Sequence, residues 1–176
     1  MPDLTPLPPP SPSTLHVRRA GPDDRPVLER LWLLFRHDLS RFTGVLPRPD
    51  GTFRSERLEA ALTESGWAAF LATKHDSPVG FALVRSLEQE PMVLNSFFVV
   101  AGARRAGVGS ALVHHVVTTV PGRWEVAFQE ANTTAVQFWR KVAAAHDPGW
   151  TEELRAVPGQ PDLPPDSWIT FTVHER

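Results

Sequence analysis

The chain has 176 residues, of which 41% are hydrophobic and 22% charged, so length and composition predict one soluble globular domain with a single core. A formal net charge of −2 argues against a general nucleic-acid binder, and no apolar run approaches the ~20 residues of a membrane span. The absence of cysteine excludes disulfides, thiolate metal sites and a cysteine nucleophile, and because no apolar signal-peptide core is visible we expect a cytoplasmic protein.

The first part of the chain predicts a tail, one strand and a helix. Residues 1–14 contain six prolines and are expected to be an extended tail before a domain at residues 15–176. Residues 15–19 read as a strand, and Pro22 opens a helix with two acids near its positive end. One buried face of this helix is predicted from the three- and four-residue spacing of Leu28, Leu31, Trp32, Phe35 and Leu39.

The rest of the chain alternates strands and helices. A hairpin is expected from strands at 67–72 and 79–86, with its turn at residues 75–78. The order β-α-α-β-β-β-α-β-α-β is predicted, without internal repeats. The other elements are an irregular stretch at 37–53, a helix at 55–65, a strand at 92–100, a helix at 108–120, a strand at 124–128, a helix at 132–145, a proline-rich loop at 146–166 and a strand at 168–173.

The sequence Arg-Arg-Ala-Gly-Val-Gly at residues 104–109 lies between the apolar strand and the helix that follows it. The first turn of a helix has four backbone N–H groups without intrahelical partners and carries a partial positive charge, so anions bind there. Gly107 and Gly109 lack the β-carbons that would hold a phosphate away, while Arg104 and Arg105 supply positive charge. The pattern therefore predicts a diphosphate site.

Two other phosphate-binding loops fit less well. Gly102 and Gly107 have Walker A spacing, but Val108 and Gly109 occupy the positions of the required lysine and hydroxyl residue. A dinucleotide fingerprint would need a third glycine where Leu112 stands, and an acidic residue at a later strand end. A glycine turn that binds nothing is the remaining alternative for this segment considered alone.

The R-x-x-G-x-G pattern after a strand resembles the acyl-coenzyme A motif of the GNAT N-acetyltransferases. Asn132 to Trp139 is similar to that family's Asn-x-x-Ala-x-x-Phe/Leu-Tyr motif on the helix beside the pantetheine arm. The resemblance covers residues 15–173 and implies a mixed α/β fold: a twisted, mostly antiparallel sheet with a splayed central strand pair and helices on both faces. It also implies acetyl-coenzyme A as co-substrate.

The resemblance further implies which residues contact the cofactor. The pyrophosphate would bind the loop amides, and the amide of Val99 or its neighbour would stabilise the oxyanion that develops in the reaction. Asn132 is expected to cap a helix, a role compatible with cofactor contact. The cofactor-binding residues predicted in this way are Phe97, Phe98, Val99, Arg104, Arg105, Ala106, Gly107, Val108, Gly109, Ser110, Asn132 and Phe138.

Two positions depart from the family pattern for catalysis. Family members often carry a glutamate base four or six residues before the valine, where this chain has Asn95 and Val93. The tyrosine that protonates the leaving thiolate is replaced by Trp139, whose indole N–H does not act as an acid. Asp38 and Asn95 are the candidate catalytic residues. His37 is a further base candidate, with Glu88 and Glu90 as second choices, although each could be an ordinary surface group.

The resulting prediction is an acetyl-coenzyme A dependent N-acetyltransferase acting on a primary amine of a small molecule or protein, as a monomer or homodimer. A non-catalytic acyl-coenzyme A binding module is the alternative, and an interaction protein using the proline-rich tail is a third. His114 and His115 have no partners at metal-ligand spacing, so no metal is expected. Trp124 and Trp139 are expected in the core.

Overall fold

The computed structural model describes residues 15–175, so the predicted tail at residues 1–14 lies outside the described residues. The described chain forms seven strands and four α-helices. The strands are β1 (Leu15–Arg19), β2 (Ala68–Lys74), β3 (Ser77–Arg85), β4 (Met92–Val99), β5 (Gly122–Phe128), β6 (Thr151–Arg155) and β7 (Asp166–Val173), and the helices are α1 (Arg25–Thr43), α2 (Glu56–Thr63), α3 (Val108–Thr119) and α4 (Thr133–His146). Among these residues no helix is both long and apolar enough to cross a bilayer.

The strands form one twisted sheet in the order β1-β2-β3-β4-β5-β7-β6, and the expected mixed, mostly antiparallel fold is confirmed. The pair β4–β5 is the one parallel pair among the described strands. Because parallel neighbours need a crossover, α3 connects β4 to β5 across one face of the sheet.

The helices cover both faces of the sheet. On one face α3 and α4 pack through Leu112, Val113 and Val142 against the larger core cluster, which includes Trp124 and Trp139. On the other face α1 and α2 pack over β2 and β3, and the residues of this second cluster are Leu28, Leu31, Trp32, Leu58, Ala61, Ala69, Leu71, Phe81, Leu83 and Phe98. The expected core positions of Trp124 and Trp139 are confirmed, at 0% and 5% exposed.

Three local predictions were wrong. The stretch predicted to be irregular from residue 37 begins as helix, because the first helix continues to Thr43, where Gly44 at φ +66° donates its N–H to Ser40 O over 2.7 Å and ends it. The hairpin turn is shorter than predicted, since His75 and Asp76 both have positive φ, as a two-residue type I′ loop requires.

The third error is β6, Thr151–Arg155, which lies inside the segment predicted to be a loop. This strand pairs with β7 alone and its five residues are Thr-Glu-Glu-Leu-Arg. An edge strand needs no buried apolar face, so it lacks the hydrophobic alternation by which strands are recognised.

The centre of the sheet is splayed, as the resemblance implied. Strands β4 and β5 share three paired positions, the last being Leu94 with Val126. The β3–β4 register shifts at the same level, because Val84 pairs with Leu94 whereas Leu83 pairs with Ser96, which leaves Asn95 as an extra residue. A bulge of this kind bends its strand and increases its twist, so β4 diverges from β5 beyond Asn95.

Candidate active site

The glycine-containing loop leads into α3 just beyond the open end of the splay. Gly107 is the N-cap of α3 at φ +77°, a left-handed conformation that a residue with a β-carbon adopts at a cost. Within residues 15–175, no protein acceptor lies in hydrogen-bonding geometry to the amides of Val108, Gly109 and Ser110. Three adjacent donors and the positive end of the helix dipole therefore point in one direction, which is the arrangement that holds a phosphate.

The two loop arginines have different surroundings. Arg105 is exposed, has no carboxylate within 4.0 Å in the described part of the chain, and adopts φ +64°, which is uncommon for a residue other than glycine. Strained backbone of this kind concentrates at functional sites.

Arg104 is held inside the protein's own network. Its Nε donates to Val99 O over 2.8 Å, a terminal nitrogen donates to Asp38 of α1, and its guanidinium lies 5.7 Å from the centre of the Phe98 ring. These contacts tie the loop to the end of β4 and to α1. Arg104 is therefore placed to shape the loop, and Arg105 is the arginine whose charge is left for a ligand.

Gly109 allows close packing of two aromatic rings at the start of α3. A β-carbon there would lie 3.3 Å from the ring of Phe138 and 3.5 Å from that of Phe97. These two rings stack at 5.3 Å and 18°, and both contact Trp139 edge-on. The aromatic group joins β4 to α4 beside the start of α3, so it forms one wall of the splay.

Asn132 caps α4, as expected. Its side-chain oxygen accepts a hydrogen bond from the amide of Ala135 over 3.1 Å. Contact between Asn132 and a cofactor stays a prediction, because the capping bond accounts for the position of this side chain without one.

The amide of Val99 points into the splay. Val100 donates its N–H to Val79 O on β3, and Val99 opposes Gly80 in the β3–β4 ladder. Backbone groups of successive residues point to opposite sides of a strand, so the N–H and C=O of Val99 face away from β3. Strand β5 has already diverged at this level, which leaves the Val99 amide as an oriented donor at the edge of the gap.

The expected base candidates are scattered by the fold. Asp38 lies near the loop but accepts from Arg104, and His37 beside it has a 79% exposed side chain. Glu88 and Glu90 precede β4, at the end of this strand opposite the splay, where Glu90 accepts from the amide of Arg123 over 3.2 Å. Asn95 lies at the bulge, with Ser96 Oγ donating to its side-chain oxygen over 3.3 Å.

Two carboxylates that sequence reasoning missed face the α1/α2 side of the sheet. Glu125 of β5 is 6% exposed, and Arg155 donates to both its oxygens over 2.8 and 3.0 Å, which lowers the pKa of this carboxyl. Asp166 at the start of β7 is half-buried, and burial raises its pKa although the charge of Arg57 opposes the shift. The Trp-Glu-Val run of β5 signalled Glu125, whereas Asp166 lay unmarked after two prolines.

No metal centre is formed by the part of the chain that the structure describes, since it brings together no group of three or more potential ligands. His114 of α3 has one neighbour that spacing did not predict: its Nδ1 lies 3.3 Å from Nε2 of His146 on α4. The other ring nitrogen of His146 is 2.9 Å from Val142 O, so this pair links the two helices of one face.

Similar solved structures share this architecture. A probable acetyltransferase from Staphylococcus epidermidis is 16% identical, with 92% of this chain and 100% of that chain aligned at a TM-score of 0.65. The ribosomal-protein-S18-alanine N-acetyltransferase from Escherichia coli is 13% identical, with coverage of 93% and 96% and a TM-score of 0.64. An aminoglycoside 6′-N-acetyltransferase complexed with coenzyme A is 17% identical, with coverage of 92% and 98% and a TM-score of 0.60.

No curated protein matches the chain significantly in sequence. A sequence model of the acetyltransferase (GNAT) family does match, over residues 30–144, which is well over half of the chain. This range contains the splayed strand, the glycine loop and the Asn132 helix. The chain belongs to the GNAT acetyltransferase family.

Proposed function

We propose that this protein is an N-acetyltransferase that transfers the acetyl group of acetyl-coenzyme A to a primary amine. The observation that carries the proposal is the presence of two sets of backbone donors: three amides at the start of α3 that have no acceptor within residues 15–175, and the Val99 amide at the splay. The first group suits a diphosphate and the second suits an oxyanion. A cofactor spanning both would place its thioester carbonyl between β4 and β5.

In the proposed reaction, the neutral amine attacks the thioester carbon, the carbonyl oxygen gains negative charge, and the carbon–sulfur bond then breaks. The Val99 N–H would donate to that oxygen as charge develops. An alkylamine with a pKa near 10.4 is only about one part in a thousand neutral at pH 7, so a base must take its proton.

We assign the proton acceptor to Asp166, with Asp38 as the alternative. Asp166 lies on the open face beside the end of β5, and its raised pKa brings it closer to the working range of a general base. Asp38 has Arg104 as its partner, so using it as a base would disturb the loop contact.

No tyrosine is present to protonate the departing thiolate. Trp139 at the family position is 5% exposed and packs against Phe97 and Phe138, so it does not supply a proton. A thiolate with a pKa near 8.5 can leave unprotonated, and we expect turnover to be slower than with an acid in place.

The second candidate function is an acyl-coenzyme A binding module without turnover. The missing tyrosine and the asparagine in place of a strand glutamate favour it. Measuring the release of free coenzyme A distinguishes the two functions. An enzyme releases coenzyme A with at least one amine of a broad panel, whereas a binding module binds acetyl-coenzyme A and releases no free thiol. The compartment, expected to be the cytoplasm, and the oligomeric state stay predictions.

The test of cofactor binding is the shift in melting temperature caused by acetyl-coenzyme A, because a ligand that binds only the folded state stabilises it. Gly107→Ala should lose most of the shift, since alanine resists φ +77°. Two controls isolate the site. Gly44→Ala imposes a similar strain at the distant end of α1, and Gly102→Ala changes the same loop where φ is unrestrictive and described neighbours leave open space. An equal ligand-induced shift in Gly107→Ala and wild type would contradict the proposal.

A further inference from the structure

Three arginines from separate elements gather on the α1/α2 side of the splay. Arg85 ends β3 and shares a sheet face with Phe81 and Leu83, which α1 and α2 cover. Arg57 lies in the first turn of α2, and Arg36 comes from α1. All three therefore lie on the side of the sheet that α1 and α2 cover.

These arginines have no ion-pair partners within residues 15–175, since no carboxylate oxygen lies within 4.0 Å of Arg36, Arg57 or Arg85. Half of the other arginines in the described residues form ion pairs, including Arg25, Arg140 and Arg155. The Nε of Arg36 is in addition buried without a hydrogen-bond partner. A buried donor left unsatisfied costs free energy, so such groups are unusual outside sites that bind ligands.

The three charges also repel one another. Burial lowers the pKa of Arg57, and the positive charge of Arg85 lowers it further. Burial likewise lowers the pKa of Arg36, with Arg57 adding to the effect. Arg57 is exposed to solvent, and its surroundings nevertheless disfavour its charge. An anion bound here would relieve both the desolvation and the repulsion.

The cluster lies beside the closed end of the splay. Arg85 pairs with Val93 of β4, and Val93 pairs with Glu125 of β5, so these residues form one row across the sheet. The next position, Leu94 with Val126, is the last before the strands separate. Asp166, on the same open face, lies near enough for the charge of Arg57 to act on its carboxyl. Positive and negative groups thus lie near one another on one face of the sheet.

We propose that the acceptor is a small amine that carries a carboxylate, as an amino acid does, and that Arg57 and Arg85 bind this carboxylate. The inference rests on the proposed function and narrows its substrate class. The ammonium end of the acceptor would face Asp166 and the splay, while the carboxylate end would face the arginines. Arg36 adds positive charge near Arg57.

The kinetic test uses acceptor pairs that differ in the carboxylate alone, such as each proteinogenic amino acid with its decarboxylated amine. For the preferred side chain, kcat/KM should be about 10- to 100-fold higher for the amino acid, the range expected from one or two hydrogen bonds to a charged group. Arg57→Gln and Arg85→Gln should each raise KM for the amino acid more than for the decarboxylated amine, so that the ratio of the two kcat/KM values falls. Arg57→Lys should restore part of the preference.

Arg54→Gln is the matched control, because Arg54 lies just before α2 and is already paired with Glu56 over 3.0 Å. It should leave the preference intact. Melting temperatures of all variants show that they are folded. Turnover without any preference for the carboxylate, or an equal loss in Arg54→Gln and Arg57→Gln, would overturn the inference while leaving the acetyltransferase proposal standing.

A binding experiment separates the two proposals if no amine is turned over. Calorimetric titration of the coenzyme A complex uses the N-acetyl derivatives of the same amino acids, each against the N-acetyl derivative of its decarboxylated amine. Carboxylate-dependent binding that is lost in Arg57→Gln would support the anion site even where acetyl transfer fails. Absence of binding by every carboxylate probe, with no turnover, would contradict both proposals.

Discussion

The proposed cofactor side and the proposed acceptor side of the splay are built in different ways. The cofactor side comes from one continuous stretch, β4 with its bulge, the glycine loop and the start of α3, and α4 adds its aromatic wall. The acceptor side takes single residues from α1, α2, β3, β5 and β7. A site based on backbone amides can be encoded locally, whereas a site based on side-chain charges needs elements distant in sequence to meet.

The largest effect is expected from a substitution of Asp166, on the acceptor side. We expect Asp166→Asn to lower kcat by about 100-fold or more, the usual contribution of a general base, without affecting the cofactor-induced shift in melting temperature. Asp38→Asn should instead weaken cofactor binding, because it releases Arg104. If Asp38→Asn removes turnover and Asp166→Asn does not, the base is Asp38.

On the cofactor side, Gly109→Val should lower kcat/KM for acetyl-coenzyme A by about 100-fold. Its β-carbon would lie 3.3 Å from the Phe138 ring, so the branched side chain would displace the loop amides. A misplacement of about 1 Å in an active site is enough to lower the rate by about 100-fold. Steady-state kinetics with varied acetyl-coenzyme A measure the effect. Gly102→Val, in the same loop with open space around it, should be close to wild type, and similar losses in both variants would contradict the packing role of Gly109.

The buried pair on the acceptor side should make stability depend on pH. Arg155 lowers the pKa of Glu125 below its usual value of about 4.3, so the pair stabilises the fold above that pH and loses its contribution as pH falls through the native pKa. Glu125→Gln should reduce the free energy of unfolding at pH 7 by about 2 kcal/mol, less than for a fully buried pair because Arg155 is 36% exposed.

Urea unfolding between pH 7 and pH 3 measures this effect. The variant should show a shallower decline of stability in acid than the wild type. Glu153→Gln removes the other, 62% exposed partner of Arg155 and should change stability by less than about 0.5 kcal/mol. Parallel pH profiles for Glu125→Gln and wild type would refute the assignment.

The smallest expected effect separates the two loop arginines. Arg105→Ala should raise KM for acetyl-coenzyme A by about 10-fold and leave the melting temperature unchanged, because Arg105 contributes charge to a ligand and has no ion pair among the described residues. Arg104→Ala should lower the melting temperature as well, since it loses contacts to Val99 and Asp38. Rising salt should weaken cofactor binding less in Arg105→Ala than in wild type.

Prediction from sequence succeeded where the signal was periodic or contiguous. The apolar β4, the capping Asn132 and the glycines before α3 appeared where expected. It failed where no local pattern exists: the polar edge strand β6 and the last two turns of α1, which end at Gly44 rather than near His37. In both segments the decisive contacts are made by residues far away in the chain or by the backbone itself.

The sequence by itself determined the family, the mixed sheet and the position of the cofactor loop, because each depends on hydrophobic periodicity or on residue types at short spacing. Tertiary structure alone decided that Arg104 binds Asp38, that Glu125 binds Arg155, and that Arg57 lies near both Arg85 and Asp166. Side-chain charges act over a few ångströms in space, and residues 57 and 166 become neighbours only when the sheet and its helices pack together.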